Sequence, residues 1–149
     1  MKKRGHLKSR AGFTMIEIMV VVVIVGLLMG LVGPRVFEQF RMARRKTTKA
    51  QIENFVQALE LYRLHSGFYP TTQQGLQALV QKPTTSPTPK KYPEGGYISS
   101  NKVPDDPWGN PYIYRCPGER GEIDIISTAE DGEEGGEGYN ADITNHDEE

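Results

Sequence analysis

The 149 residues leave room for one modest domain. Cys116 is the only cysteine, which excludes an intramolecular disulfide, and the three histidines, His6, His65 and His146, are too scattered for a zinc site. Folding in an oxidising compartment must then rest on packing or on another metal. The net charge of -1 hides a gradient, basic at the start and acidic at the end.

Residues 1–12 form a basic leader with Lys2, Lys3, Arg4, Lys8 and Arg10 and no acid. The chain from Phe13 to Pro34 then reads FTMIEIMVVVVIVGLLMGLVGP, with Glu17 its only charge. As a helix at about 1.5 Å per residue it reaches roughly 33 Å, the thickness of a bilayer's hydrocarbon. Basic residues before the span favour a cytoplasmic N-terminus. A secretory signal has a shorter apolar core and small residues after it; here Ala11-Gly12 precede the core. Any cleavage therefore leaves the apolar helix in the mature protein, with 13–34 as membrane segment and 35–149 as aqueous domain. A carboxylate in a membrane costs at least a few kcal/mol unless paired, so Glu17 needs a partner.

A second basic cluster follows: Arg35, Arg41, Arg44, Arg45, Lys46 and Lys49, opposed only by Glu38. Lying beside a membrane segment, it argues against nucleic acid as a partner. Pro34 is expected to kink the helix or mark its exit from the bilayer. Ile52, Phe55, Val56, Leu59 and Tyr62 recur at helical spacing, so the helix continues to about Leu64 and Gly67 ends it. The whole helix is about fifty residues long.

Thr71 and Gln74 have capping-box spacing before Leu76, Leu79 and Val80, a short second helix. Four prolines between Lys82 and Pro93 make a loop, and residues 95–111 are mostly turns. Two short strands are expected, Tyr112–Arg115 and Ile123–Ser127, with Trp108 and the tyrosines packed under them. From Gly118 onward, twelve acids face one basic residue, Arg120, and no apolar period follows Ser127.

The run Gly12-Phe13-Thr14-Met15-Ile16-Glu17 before a long apolar helix resembles the N-termini of the type IV pilin class. The resemblance implies that a prepilin peptidase cuts after Gly12 and methylates the new amino group of Phe13. Cutting creates an ammonium with which Glu17 of a neighbouring copy can pair. The alternative is a glutamate that merely stabilises a helix N-terminus.

The remaining chain is similar to the major pseudopilin family of the type II secretion system. The matching segments are Tyr69-Pro70-Thr71-Thr72-Gln73-Gln74-Gly75-Leu76-Gln77-Ala78-Leu79, Tyr92-Pro93-Glu94-Gly95-Gly96-Tyr97-Ile98 and Asp106-Pro107-Trp108-Gly109. The implied fold is α+β and pilin-like. A long N-terminal helix packs on a small antiparallel sheet, with a short second helix and a calcium-binding loop. By resemblance Ca2+ takes carboxylates from Asp131 and Asp142 and backbone carbonyls from Thr128 and Glu133. Family members often carry two adjacent acids where this chain has Ala141-Asp142, and Asn140 is the substitute ligand. Calcium prefers six to eight hard oxygens. The spacing is not that of an EF-hand, and without the resemblance this stretch reads as a solvated acidic tail.

The resemblance further implies a structural subunit rather than an enzyme. It would sit in the bacterial inner membrane and stack into a helical, homo-oligomeric periplasmic filament that drives folded proteins through an outer-membrane channel. Implied partners are minor pseudopilins, the peptidase and methyltransferase, the inner-membrane assembly platform and the outer-membrane secretin. The alternatives are a type IV pilin of a surface fibre, a membrane-anchored enzyme, or a secreted soluble domain. Pilins usually carry two C-terminal cysteines, whereas this chain has Cys116 alone, and no nucleophile–base pair or phosphate loop supports an enzyme.

Overall fold

The computed structural model describes residues 12–147. The leader expected over 1–12 therefore lies outside the described residues, except for Gly12. Helix α1 runs Met15–Ser66, 52 residues. The chain divides into two compact units, Met1–Gln39 and Phe40–Glu149.

In the first unit, α1 exposes an almost unbroken apolar surface. Phe13, Met15, Ile16, Leu27, Met29 and Phe37 are all strongly exposed. An apolar area of this extent on a single chain marks a surface meant for lipid or protein. The glycines at 26, 30 and 33 meet nothing within 4 Å where a Cβ would be, so packing within the chain does not demand them. The helical backbone bends between Gly30 and Arg35, where Pro34 removes an N–H donor, as the sequence leads one to expect. By length and hydropathy no single helix among the described residues qualifies as a membrane span; Met15–Gly30 and Arg35–Ser66 qualify only together.

The second unit is built on the other half of α1. Ile52, Phe55, Leu59 and Tyr62 are buried, with Val56 partly buried against the same core. Their three- and four-residue spacing puts them on one stripe of the helix. Gly67 ends α1 with φ 86°, a left-handed conformation that a glycine adopts without strain, and its N–H donates to the Arg63 carbonyl at 2.7 Å.

The expected short second helix is a single 3-10 turn, Leu76–Leu79. The capping box forms as expected: the Thr71 N–H donates to Gln74 Oε1 at 3.1 Å and the Gln74 N–H to Thr71 Oγ1 at 3.2 Å. It closes the turn before Gly75 instead of starting a longer helix. Leu76, Ala78 and Leu79 plug into the core.

Three strands follow: β1 (Ile113–Arg115), β2 (Asp124–Ser127) and β3 (Ile143–Thr144). All pair antiparallel in the order β1-β2-β3, with Tyr114 opposite Ile125 and Ser127 opposite Ile143. Every residue of β2 is buried, as suits a central strand covered on both faces. The third strand is absent from the sequence reading, because two residues are too few to show a period. The expected aromatic packing is present. Tyr62 and Tyr114 are buried, Trp108, Tyr97 and Tyr112 pack on the core, and Phe55 meets Tyr112 edge-on at 5.1 Å. Burial pushes the Tyr62 phenol up to about 12. Cys116 is half-buried against the same core.

Asp106 organises the turn-rich segment. One carboxylate oxygen accepts the N–H groups of Trp108 (3.0 Å) and Asn110 (2.8 Å). The other accepts the Ser127 hydroxyl at 2.6 Å, locking the turn to the end of β2. Asn110 then donates through Nδ2 to the Ala129 carbonyl at 2.9 Å, fixing where the acidic loop begins.

Candidate functional site

Two regions hold the sequence-predicted functional residues. At the N-terminus, Gly12 and Phe13 are exposed and non-helical, directly before α1. Glu17 lies in the first turn of α1. Its carboxylate accepts the Thr14 N–H at 2.9 Å and the Thr14 hydroxyl at 3.0 Å, while its own N–H donates to Thr14 Oγ1 at 3.3 Å. This is a capping box, which satisfies donors that a helix start leaves open. The signal that could have shown it is the Thr-x-x-Glu spacing.

The second region is the loop after β2. Ala129 is fully buried with φ 51°, and the Gly132 N–H reaches back to the Thr128 carbonyl at 3.2 Å. Asp131 is exposed and accepts the Glu133 N–H at 3.2 Å, an Asx-type turn. Asp142 is drawn inward. One of its carboxylate oxygens accepts the Gly135 N–H at 2.9 Å, and its own N–H donates to the Gly135 carbonyl at 3.2 Å. Asn140 ends a 3-10 turn, Gly138–Asn140. A Cβ on Gly136 would stand 2.6 Å from the Asn140 carbonyl oxygen, so that pair of backbones touches only because residue 136 is glycine.

The other oxygen of Asp142, Oδ1, is buried and has no hydrogen-bond partner. A buried carboxylate oxygen left unpaired is costly, and this one is placed to accept a cation or a water. Among the described residues no group of three or more His, Cys, Asp or Glu side chains is arranged to hold a metal. A cation here would draw on carbonyl oxygens besides Asp131 and Asp142. That mixture of hard oxygens suits calcium and not zinc.

Beside the loop, Asp142 and Glu134 line a cleft of about 440 Å³ with Arg115, Asp124 and His146. Arg115 Nη2 donates to both carboxylate oxygens of Glu134, at 2.7 and 2.9 Å. Asp124 is buried. Burial pushes its carboxyl up, but N–H groups of Glu119 and Arg120 and the His146 ring outweigh this and hold it below the ordinary value. His146 Nε2 lies 2.7 Å from Asp124 Oδ1. Asn145 accepts the Ile125 N–H at 2.8 Å and donates to the Ile123 carbonyl at 3.2 Å. Asn145 and His146 thus fasten the end of the chain to β2. Sequence reasoning missed both, and no local pattern announces a pairing 22 residues apart.

A methylation-type N-terminus, a long helix with an apolar first half and a small antiparallel sheet on its second half define a pilin-like subunit. Residues 7–33 match the family model of the Prokaryotic N-terminal methylation motif. Residues 35–146 match that of Type II secretion system (T2SS), protein G, and the chain belongs to this family. It is 49% identical over 140 residues to a Type II secretion system core protein G of Pseudomonas aeruginosa, covering 94% of this chain and 97% of that one. It is 47% identical over 139 residues to the protein of the same name from Vibrio cholerae, covering 93% of each. Among solved structures it is similar to the major pseudopilin from the type 2 secretion system of enterohaemorrhagic Escherichia coli. That match has a TM-score of 0.65 at 39% identity, covering 75% of this chain and 94% of the other. The family separates this chain from surface-fibre pilins, and it is a family of structural subunits. Its N-terminal motif implies a cleaved anchor and a periplasmic pseudopilus.

Proposed function

We propose that the mature chain begins at Phe13, N-methylated after cleavage behind Gly12, and catalyses nothing itself. Residues 13–34 hold it in the inner membrane and then form the core of a helical filament, while 35–149 form its periplasmic face. The observation that carries this reading is the long exposed apolar surface of α1 immediately after the Gly12-Phe13 junction. Copies packing those surfaces together remove them from water or lipid. Minor pseudopilins, the inner-membrane platform and the outer-membrane secretin are the other expected partners. The test is the mass of the mature protein together with the secretome of a deletion strain. A chain starting at Phe13, one methyl group heavier, and loss of exported enzymes are expected. A different N-terminus, or unchanged export, sinks the proposal.

The same reading includes a structural Ca2+ held by carboxylates of Asp131 and Asp142 and carbonyls of Thr128 and Glu133, with Asn140 as the weaker candidate. The unpartnered oxygen of Asp142 supports it. When bound, the ion would supply the positive charge that cross-links the loop. Chelation is expected to lower the melting temperature of the full chain in detergent, and an identical melting curve with and without calcium would count against it.

A further inference from the structure

The basic cluster on α1 is divided by what its members touch. Arg41 and Arg45 are one helical turn apart and so share a face of α1. Arg41 forks onto Glu130, Nε to Oε2 at 3.1 Å and Nη2 to Oε1 at 3.2 Å. Its guanidinium also lies 5.0 Å from the centre of the Tyr139 ring. Arg45 donates through Nη1 to the Ala141 carbonyl at 2.8 Å and to the Tyr139 carbonyl at 3.3 Å. The two arginines therefore hold both ends of the loop, Glu130 at its start and Tyr139 to Ala141 at its close. Ala141 directly precedes Asp142, whose carboxylate carries the unpartnered buried oxygen. Arg44, between them in sequence, is exposed and serves as a matched control.

We propose that Arg41 and Arg45 are positioning residues. They anchor the 130–142 loop on α1, and this anchoring is coupled to cation binding by the loop. The coupling rests on the calcium reading; the anchoring does not. A loop held near its bound conformation loses less entropy when it takes an ion, so its affinity rises. By linkage, the ion must strengthen the anchoring by the same factor. A guanidinium beside a dication also repels it. The sign is therefore diagnostic: ordering predicts weaker binding without Arg45, and repulsion predicts tighter binding.

The experiment uses the full chain in detergent, with wild type, Arg45→Gln, Arg45→Lys, Arg41→Gln and Arg44→Gln in parallel. Glutamyl endopeptidase cleavage at Glu133, Glu134 and Glu137 is followed by mass spectrometry in EDTA and along a CaCl2 titration. In EDTA, Arg45→Gln should be cut about ten- to a hundredfold faster, the range that one hydrogen bond from a charged donor provides. Arg45→Lys should be intermediate, and Arg44→Gln should match wild type. The calcium concentration giving half-protection should rise by a similar factor in Arg45→Gln. Thermal melts identify any variant that fails to fold, in which case Arg41→Gln decides the anchoring. Unchanged cleavage of folded Arg45→Gln and Arg41→Gln in EDTA overturns the anchoring. A lower calcium half-point in Arg45→Gln overturns the coupling. A wild type indifferent to calcium overturns the calcium reading and the coupling with it, while the EDTA series still decides the anchoring.

Discussion

Glu17 is already hydrogen-bonded within its own chain, by Thr14, whose N–H and hydroxyl both reach one carboxylate oxygen. A carboxylate has about four acceptor sites, so this leaves room for a further donor. Pairing with the Phe13 ammonium of a neighbour can thus add to the cap instead of replacing it. Glu17→Ala removes both roles, yet the residues at the scissile junction remain. The expected outcome is near-normal processing, seen as an electrophoretic shift, with few or no filaments by electron microscopy. Normal filaments from that variant would refute the pairing. Thr14→Ala removes only the cap, worth about 1 kcal/mol, and should raise hydrogen exchange at the first turn of α1.

Asp106 gathers three donors, two N–H groups and the Ser127 hydroxyl, at a buried carboxylate. Asp106→Ala strands them together. Each buried unsatisfied group costs about 1–3 kcal/mol, so a loss of roughly 3 kcal/mol or more is expected in chemical denaturation. The loop should loosen too, because Asn110 would no longer be held beside Ala129. A change below about 1 kcal/mol would show that water replaces the carboxylate.

Gly96 has φ 79°, and its backbone lies against the 3-10 turn. A Cβ there would stand 2.5 Å from the Leu79 carbonyl oxygen and 2.8 Å from that of Val80. The adjacent Tyr97 N–H donates to the Leu79 carbonyl at 2.7 Å. Gly96→Ala therefore combines strain with a clash against backbone. A loss of about 1–3 kcal/mol from the conformation alone is expected, with the clash in addition. The matched control is Gly95→Ala, at a similar positive φ of 93° but with open space around it. Equal melting temperatures for the two variants would remove the clash from the account.

The α1 stripe was legible because a period of three and four repeated over eleven residues, Ile52 to Tyr62, leaves little choice of face. β1 and β2 were legible within one residue of their ends, bounded by Pro-Gly turns. The short second helix was legible from its capping box, but not its 3-10 geometry: Gly75 follows the box at once and only one turn fits. β3 is two residues long and pairs only because β2 offers an edge, which no local pattern encodes. The same holds for His146 on Asp124 and Arg45 on Ala141. Such contacts join residues 22 and 96 apart and depend on the finished fold. Read from its residues alone, the acidic loop is a solvated tail, and only the resemblance makes it a group of hard oxygens. The sequence did not reveal that Asp142 keeps a buried oxygen unpaired.

Asp124 makes stability depend on acid. Its folded pKa is held below the ordinary 3.8 by hydrogen bonds that need the ionised form. A depressed carboxyl contributes stability that is complete above the ordinary value and disappears as pH falls through the folded one. The melting temperature should therefore drop as pH is lowered below 3.8. The contribution of Asp124 is isolated by comparison with Asp124→Asn, which keeps the shape and loses the charge. That variant should be less stable at neutral pH, since the Glu119 and Arg120 N–H groups and the His146 ring face a poorer acceptor. Its loss should shrink as wild type is acidified, until the two curves meet. Parallel curves at all pH values would mean that the carboxylate's ionisation contributes nothing to holding the chain end on β2.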